Sequence, residues 1–124
     1  MMESVDLKTM RYNDSLDSDK DFLLAYANFV EDKIFTSQDE RLVENTLGLV
    51  GEAGEVAEKV KKLIRDKSRF TRKDILLELG DVLFYAQSLT NYFKSDLQEV
   101  IEMNVSKLNG REVRGTLKGS GDNR

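Results

Sequence analysis

The chain has 124 residues, 19 of them basic and 23 acidic for a formal net charge of −4, with 40% hydrophobic residues, 34% charged residues and no Cys, His or Pro. That length supports one domain around a single core. Without Cys or His, disulfides, thiolate nucleophiles, zinc knuckles, Ser-His-Asp chemistry and histidine metal sites are excluded, so carboxylates, Lys, Arg, Tyr and metal ions are left to do any catalysis. Charges of both signs are interspersed, which offers no basic face to duplex nucleic acid. The start M-M-E-S-V-D-L-K lacks the pattern of a signal peptide and no stretch reaches transmembrane length, so a cytoplasmic protein without a membrane partner is expected.

Strong helix formers throughout predict an all-α protein. Residues 1–17 are polar and aperiodic and read as a flexible N-terminal extension. From Ser18 as N-cap, Phe22, Tyr26, Phe29 and Lys33 recur at helical spacing, with Leu23, Val30 and Ile34 beside them, which predicts a first helix ending near Phe35. Ser37-Gln38-Asp39-Glu40 reads as a capping box. It opens a long second helix with Leu42, Leu49, Ala53, Val56, Val60 and Leu63 on its apolar side, ending near Ile64 or Asp66. After a polar turn, Thr71 with Asp74 forms a second capping box for a third helix, whose stripe is Ile75, Leu79, Val82, Ala86, Leu89 and Phe93. Ser95 with Gln98 is expected to cap a fourth, buried along Leu97, Ile101 and Leu108. The domain is therefore placed at residues 18–109, and 110–124, with four glycines and four basic residues, reads as a Gly-rich C-terminal tail.

Two carboxylate pairs stand out, Glu52 with Glu55 in G-L-V-G-E-A-G-E-V-A-E and Glu78 with Asp81 in L-L-E-L-G-D-V-L. Each has i, i+3 spacing, so each helix presents two acids on one face. In so charged a chain such spacings also arise on solvated helix faces. Here, however, the acids lie beside the apolar stripe among Gly48, Gly51, Gly54 and Gly80, and a Gly inside a helix costs about 1 kcal/mol relative to Ala. Close helix approach or room for a ligand would offset that cost. If helices two and three form an antiparallel hairpin, Glu55 and Glu78 are offset by about 3 Å along the axes, near enough to share a ligand. An all-oxygen cluster suits Mg²⁺, or Mn²⁺.

The run G-L-V-G-E-A-G-E-V-A-E-K-V-K-K, then E-L-G-D-V-L-F-Y, then N-V-S-K-L-N-G-R and the terminal G-D-N-R resembles the MazG-like nucleotide pyrophosphohydrolases of the all-α NTP pyrophosphatase superfamily, from about Phe22 to the C-terminus. The resemblance implies Mg²⁺-dependent hydrolysis of a nucleoside triphosphate to the monophosphate and pyrophosphate, in a four-helix bundle core that assembles as a homodimer or homotetramer. It assigns Glu52, Glu55, Glu78 and Asp81 to metal; the chemistry of a metal-activated water then allows any of these acids not fully engaged by metal to take the proton, with Glu52 or Glu55 favoured. Tyr85 would hold the nucleoside, and Asn104, Lys107 and Arg111 would bind substrate. The plainer readings are a half-buried core tyrosine for Tyr85 and exposed charges on a terminal helix for Lys107 and Arg111. Lys59 and Lys62 read as solvating the second helix, with neutralisation of outer phosphates as the alternative. Many relatives carry a further acid where this chain has Gly51. The alternatives carried forward are a hydrolase of dUTP, dCTP or phosphoribosyl-ATP on the same fold, and a non-catalytic helical interaction module. The wide apolar arcs of helices one and three also predict a homo-oligomer.

Overall fold

The structure, a computed structural model, describes residues 19–66, 71–115 and 119. The expected N-terminal extension and most of the expected tail lie outside them. Four helices follow in order: α1 (Asp19–Glu31), α2 (Gln38–Asp66), α3 (Arg72–Tyr92) and α4 (Leu97–Arg114), with no strand among the described residues. The all-α expectation and the long second helix are met.

Boundaries differ where side chains compete for the helix ends. The first helix stops at Glu31, not near Phe35, because the N–H groups of Lys33 and Ile34 turn to the carbonyls of Val30 and Glu31, three residues back. This is the tightening usual at a helix C-terminus. α3 opens as expected, with Thr71 Oγ1 accepting from the Asp74 N–H and Asp74 Oδ2 accepting from the Thr71 N–H. In α4 the cap is Asp96 and not Ser95: the Asp96 carboxylate takes the Glu99 N–H at 2.8 Å, while the Ser95 hydroxyl donates to the Glu99 side chain. A charged acceptor outcompetes a hydroxyl there. α4 then runs through Gly110 to Arg114 and closes on Gly115, whose φ of 71° supplies the left-handed cap. The first five residues of the expected tail are thus its last turn.

α2 and α3 form the antiparallel hairpin that organises the molecule; α1 lies on α3, and α4 touches α1 and α3 but not α2. Within one copy the buried residues are largely polar. Val30 and Leu97 are the buried hydrophobics among the described residues, beside Asn45, Gln87, Ser88, Thr90 and Arg111. Several expected core positions are open instead: Leu79 on α3, Phe93 just past its end, and Ile101 and Leu108 on α4 are all exposed. The apolar stripe of α3 lies about 100° round the helix from the row that carries the acids, beside the α2 seam and not within it.

That inner seam has a fixed register. The Arg41 guanidinium lies over the Tyr92 ring at 6.0 Å, Asn45 meets Ser88, Gly48 meets Tyr85, Glu52 meets Asp81, and Lys59 reaches Glu78, its charge also felt by Asp74 one turn further back. Each advance of four or three residues along α2 is matched by the same retreat along α3. These alternating steps are the heptad spacing of a coiled-coil seam, written in polar residues.

At its open end the seam is tied to α1. Arg41 donates from both Nη atoms to the Glu31 carboxylate, at 2.6 and 2.7 Å, and Nη2 also reaches the Ser88 carbonyl and hydroxyl. Ser88 in turn donates to the Asn45 side chain, and Gln87 donates to Asn91, which donates to the Ala27 carbonyl and to Glu31. The paired guanidinium holds the Glu31 carboxyl below its usual range. Stability from this pair is therefore present above the ordinary carboxylate pKa and lost as pH falls through the lower folded value. Because Glu31 is half exposed, the pair contributes about 1 kcal/mol after solvent screening. Urea unfolding of Glu31→Gln is expected to show that deficit at neutral pH and to converge with the unmodified protein in acid; parallel curves at all pH values would count against the pair.

Candidate functional site

The acids sit midway along the seam, where both helices are far from their ends. Glu52, Glu78 and Asp81 each offer one carboxylate oxygen such that all three atoms lie within 4.8 Å of one another. Glu52 and Glu78 are half-buried and Asp81 is exposed. Two oxygens on opposite sides of a Mg²⁺ ion are about 4.2 Å apart at the usual bond length, so small side-chain rotations bring this set to a hard divalent ion. The donor chemistry therefore fits Mg²⁺ or Mn²⁺. Glu55 falls outside the tight group and is exposed, although its charge is felt by Glu52. Partial burial, then Asp81, Glu78 and Glu55 in turn, push the Glu52 carboxyl above its usual range. A site that raises the cost of its own negative charge is suited to receive a cation.

The glycines divide into two kinds. A Cβ on Gly48 would stand 2.4 Å from Tyr85 Cε1 and 2.5 Å from Cζ, so only a bare backbone lets the Tyr85 ring lie across α2. Gly51, Gly54 and Gly80 meet nothing within 4 Å and leave open space around the acids. Close helix approach explains the first, and unfilled room accompanies the other three.

Tyr85 thus flanks the acids one turn from Asp81, half-buried, with Phe84 edge-on at 5.3 Å. Sequence reasoning missed Tyr26. Counted there as part of an apolar stripe, it lies near enough to Asp81 that the carboxylate adds to burial in holding its phenol above the usual range. Only the packing of α1 on α3 brings them together, so no local signal could have found it. Lys59 was read as a solvating residue; instead its Nζ crosses to Glu78 Oε1 at 2.6 Å, whereas Lys61 and Lys62 pair with Glu58 on their own helix.

Asn104, Lys107 and Arg111 stand on a different helix from the acids. All three lie on α4, which does not contact α2. Asn104 and Lys107 are exposed and Arg111 is buried. A separate concavity of about 560 Å³ between α1 and the α3–α4 turn, lined by Leu24, Ala27, Glu31, Asn91 and Lys94 among others, shares none of the candidate residues.

An all-α chain whose central hairpin sets acids from two i, i+3 motifs face to face defines a class of small carboxylate-bearing helical proteins. A profile of the MazG nucleotide pyrophosphohydrolase domain matches residues 41–114, and the chain belongs to that family. The chain is also 49% identical over 83 residues to "Gene 37 protein" of Mycobacterium phage L5, a match spanning 64% of this chain and 73% of that one. No solved structure matches. Among the described residues no helix is long and apolar enough to cross a membrane.

The Gly48–Tyr85 contact yields a test of sign. In a Tyr85→Ala background, Gly48→Ala is expected to stabilise by about 1 kcal/mol through helix propensity. With Tyr85 present, overpacking of about 1–3 kcal/mol should cancel or reverse that gain. Denaturant unfolding of the four proteins measures the difference, and identical Gly48→Ala effects in both backgrounds would refute the contact.

Proposed function

We propose that the protein hydrolyses a nucleoside triphosphate to the monophosphate and pyrophosphate with Mg²⁺, or Mn²⁺ in its place, and serves nucleotide-pool control or removal of non-standard nucleotides in the cytoplasm. The observation that carries this reading is the meeting of Glu52, Glu78 and Asp81 oxygens within 4.8 Å in a chain of the nucleotide pyrophosphohydrolase family. When bound, a divalent ion supplies charge neutralisation at the phosphates and acidification of the attacking water. Glu52, Glu78 and Asp81 hold it. Glu55, outside the tight group, or Glu52 accepts the proton that the water loses as the α–β phosphoanhydride bond breaks. Tyr85, seated on Gly48 beside the acids, packs against the nucleoside, and the open space at Gly51, Gly54 and Gly80 leaves the triphosphate access to the backbone of both helices.

The remaining substrate contacts require a second copy. One chain leaves Val100, Ile101, Met103, Val105 and Leu108 of α4 exposed, with Leu76, Leu77, Leu79 and Leu83 of α3. Most helical stability in proteins comes from packing of an apolar face, and α4 leaves much of its own uncovered. Burial of those residues in a homodimer or homotetramer supplies the missing core, and Asn104, Lys107 and Arg111 of one copy then serve the acids of another. Sedimentation velocity at micromolar concentration is expected to show no monomer; a monomer would overturn the assembly.

The chemistry is tested by pyrophosphate release from a panel of ribo- and deoxyribonucleoside triphosphates, with dUTP, dCTP and phosphoribosyl-ATP included, in Mg²⁺ and in EDTA. Release is expected to require the metal and to fall about 10²-fold or more in Glu52→Gln and Asp81→Asn. Silence across the panel with an intact oligomer would favour a non-catalytic helical interaction module.

A further inference from the structure

Among the described residues, Lys59 brings a cation into contact with the acid cluster. It follows Glu55 by one turn of α2 and caps the end of the cluster nearest the α2–α3 turn. Its Nζ stands 2.6 Å from Glu78 Oε1, with Lys59 at 25% and Glu78 at 15% side-chain exposure. Lys61 and Lys62 lie along the surface of α2 towards Glu58, so of this basic run it is Lys59 that crosses to α3. Glu78 is at once the partner of Lys59 and one of the three acids whose oxygens cluster.

From this shared carboxylate we infer that Lys59 exchanges partners during ligand binding: it neutralises Glu78 in the metal-free protein, is driven off by an entering divalent ion, and then binds an anionic oxygen of the phosphate chain. The inference rests on the metal-dependent reading above. Two cations on one carboxylate repel each other, and between an ammonium and a doubly charged ion the repulsion is twice that between two ammonium groups at the same distance. A lysine stem, with four rotatable carbons, lets the displaced ammonium stay at the rim of the cluster while leaving the carboxylate. The rim is where a triphosphate coordinated to the same metal carries its excess negative charge. Lys59 therefore opposes the first ligand and favours the second.

The opposite signs make the test. Lys59→Met keeps the stem and removes the charge. Calorimetry with Mn²⁺ alone is expected to show about tenfold tighter binding to Lys59→Met than to the unmodified protein. With Mn²⁺ saturating, inorganic pyrophosphate is expected to bind about tenfold more weakly to the same variant. Lys59→Arg, which keeps the charge, should stay close to the unmodified protein in both. A purely structural lysine would leave both affinities alone or weaken both. Mn²⁺ binding that is unchanged or weaker in Lys59→Met overturns the inference, as does unaltered pyrophosphate binding. Mn²⁺ binding to neither protein removes the metal reading itself and this inference with it. If Lys59→Met does not fold without metal, the unmodified protein carries the test through NMR of its reductively ¹³C-methylated lysines, with Lys59→Arg identifying the signal. The Lys59 resonance should shift with the midpoint of Mg²⁺ addition, and a stationary resonance overturns the exchange.

Discussion

The register between α2 and α3 is the constraint on which the rest of this structure depends. An antiparallel helix pair can slide by whole turns unless something stops it, and apolar side chains are poor stops because they pack almost as well one turn away. Here the stops are a ring that fits only over Gly48 and an arginine that fits only between Glu31 and Ser88. With those in place, Glu52 has no choice but to face Asp81. The carboxylates meet because of contacts made one to three turns away, and in spite of their mutual repulsion.

Charge is distributed along the same seam in a consistent order. One end holds Arg41 in a hydrogen-bonded network of Glu31, Ser88, Asn45 and Asn91; the middle is anionic; the far end holds Lys59 against Glu78. Each cationic terminus ties its helix to a neighbour, so the anionic middle is bracketed instead of spread. The aromatic residues collect between the arginine end and the acids, where Tyr85 and Tyr26 both approach Asp81 or its neighbours. A ligand with an apolar, planar part and a charged part would find both along one line.

Much of this was legible in the sequence, and the rest was not for definite reasons. Four helices, the Thr71–Asp74 cap and the facing acid motifs follow from local rules about spacing and capping, which act within one turn of chain. The apolar stripes were found but misassigned. Leu79 and Ile101 repeat at helical spacing, yet apolar periodicity reports only that a face will be covered and not by what, and in one copy these faces stay open. The polar seam was missed because Arg41, Asn45, Gly48, Glu52, Glu55 and Lys59 follow a heptad that hydrophobicity does not mark. Lys59 crossing to Glu78 and Tyr26 nearing Asp81 depend on which helices are neighbours. Such contacts join residues far apart in the chain, which no local pattern encodes.

The polar seam also separates what holds the hairpin from what the hairpin presents. Arg41, Asn45, Ser88 and the Thr71 cap fix the helices from either side, so the acid cluster is held in place largely by contacts other than its own, the Lys59–Glu78 pair excepted. The hairpin behaves as a gauge block: it transmits a length, set by two helical pitches, to whatever chemistry is mounted at its centre.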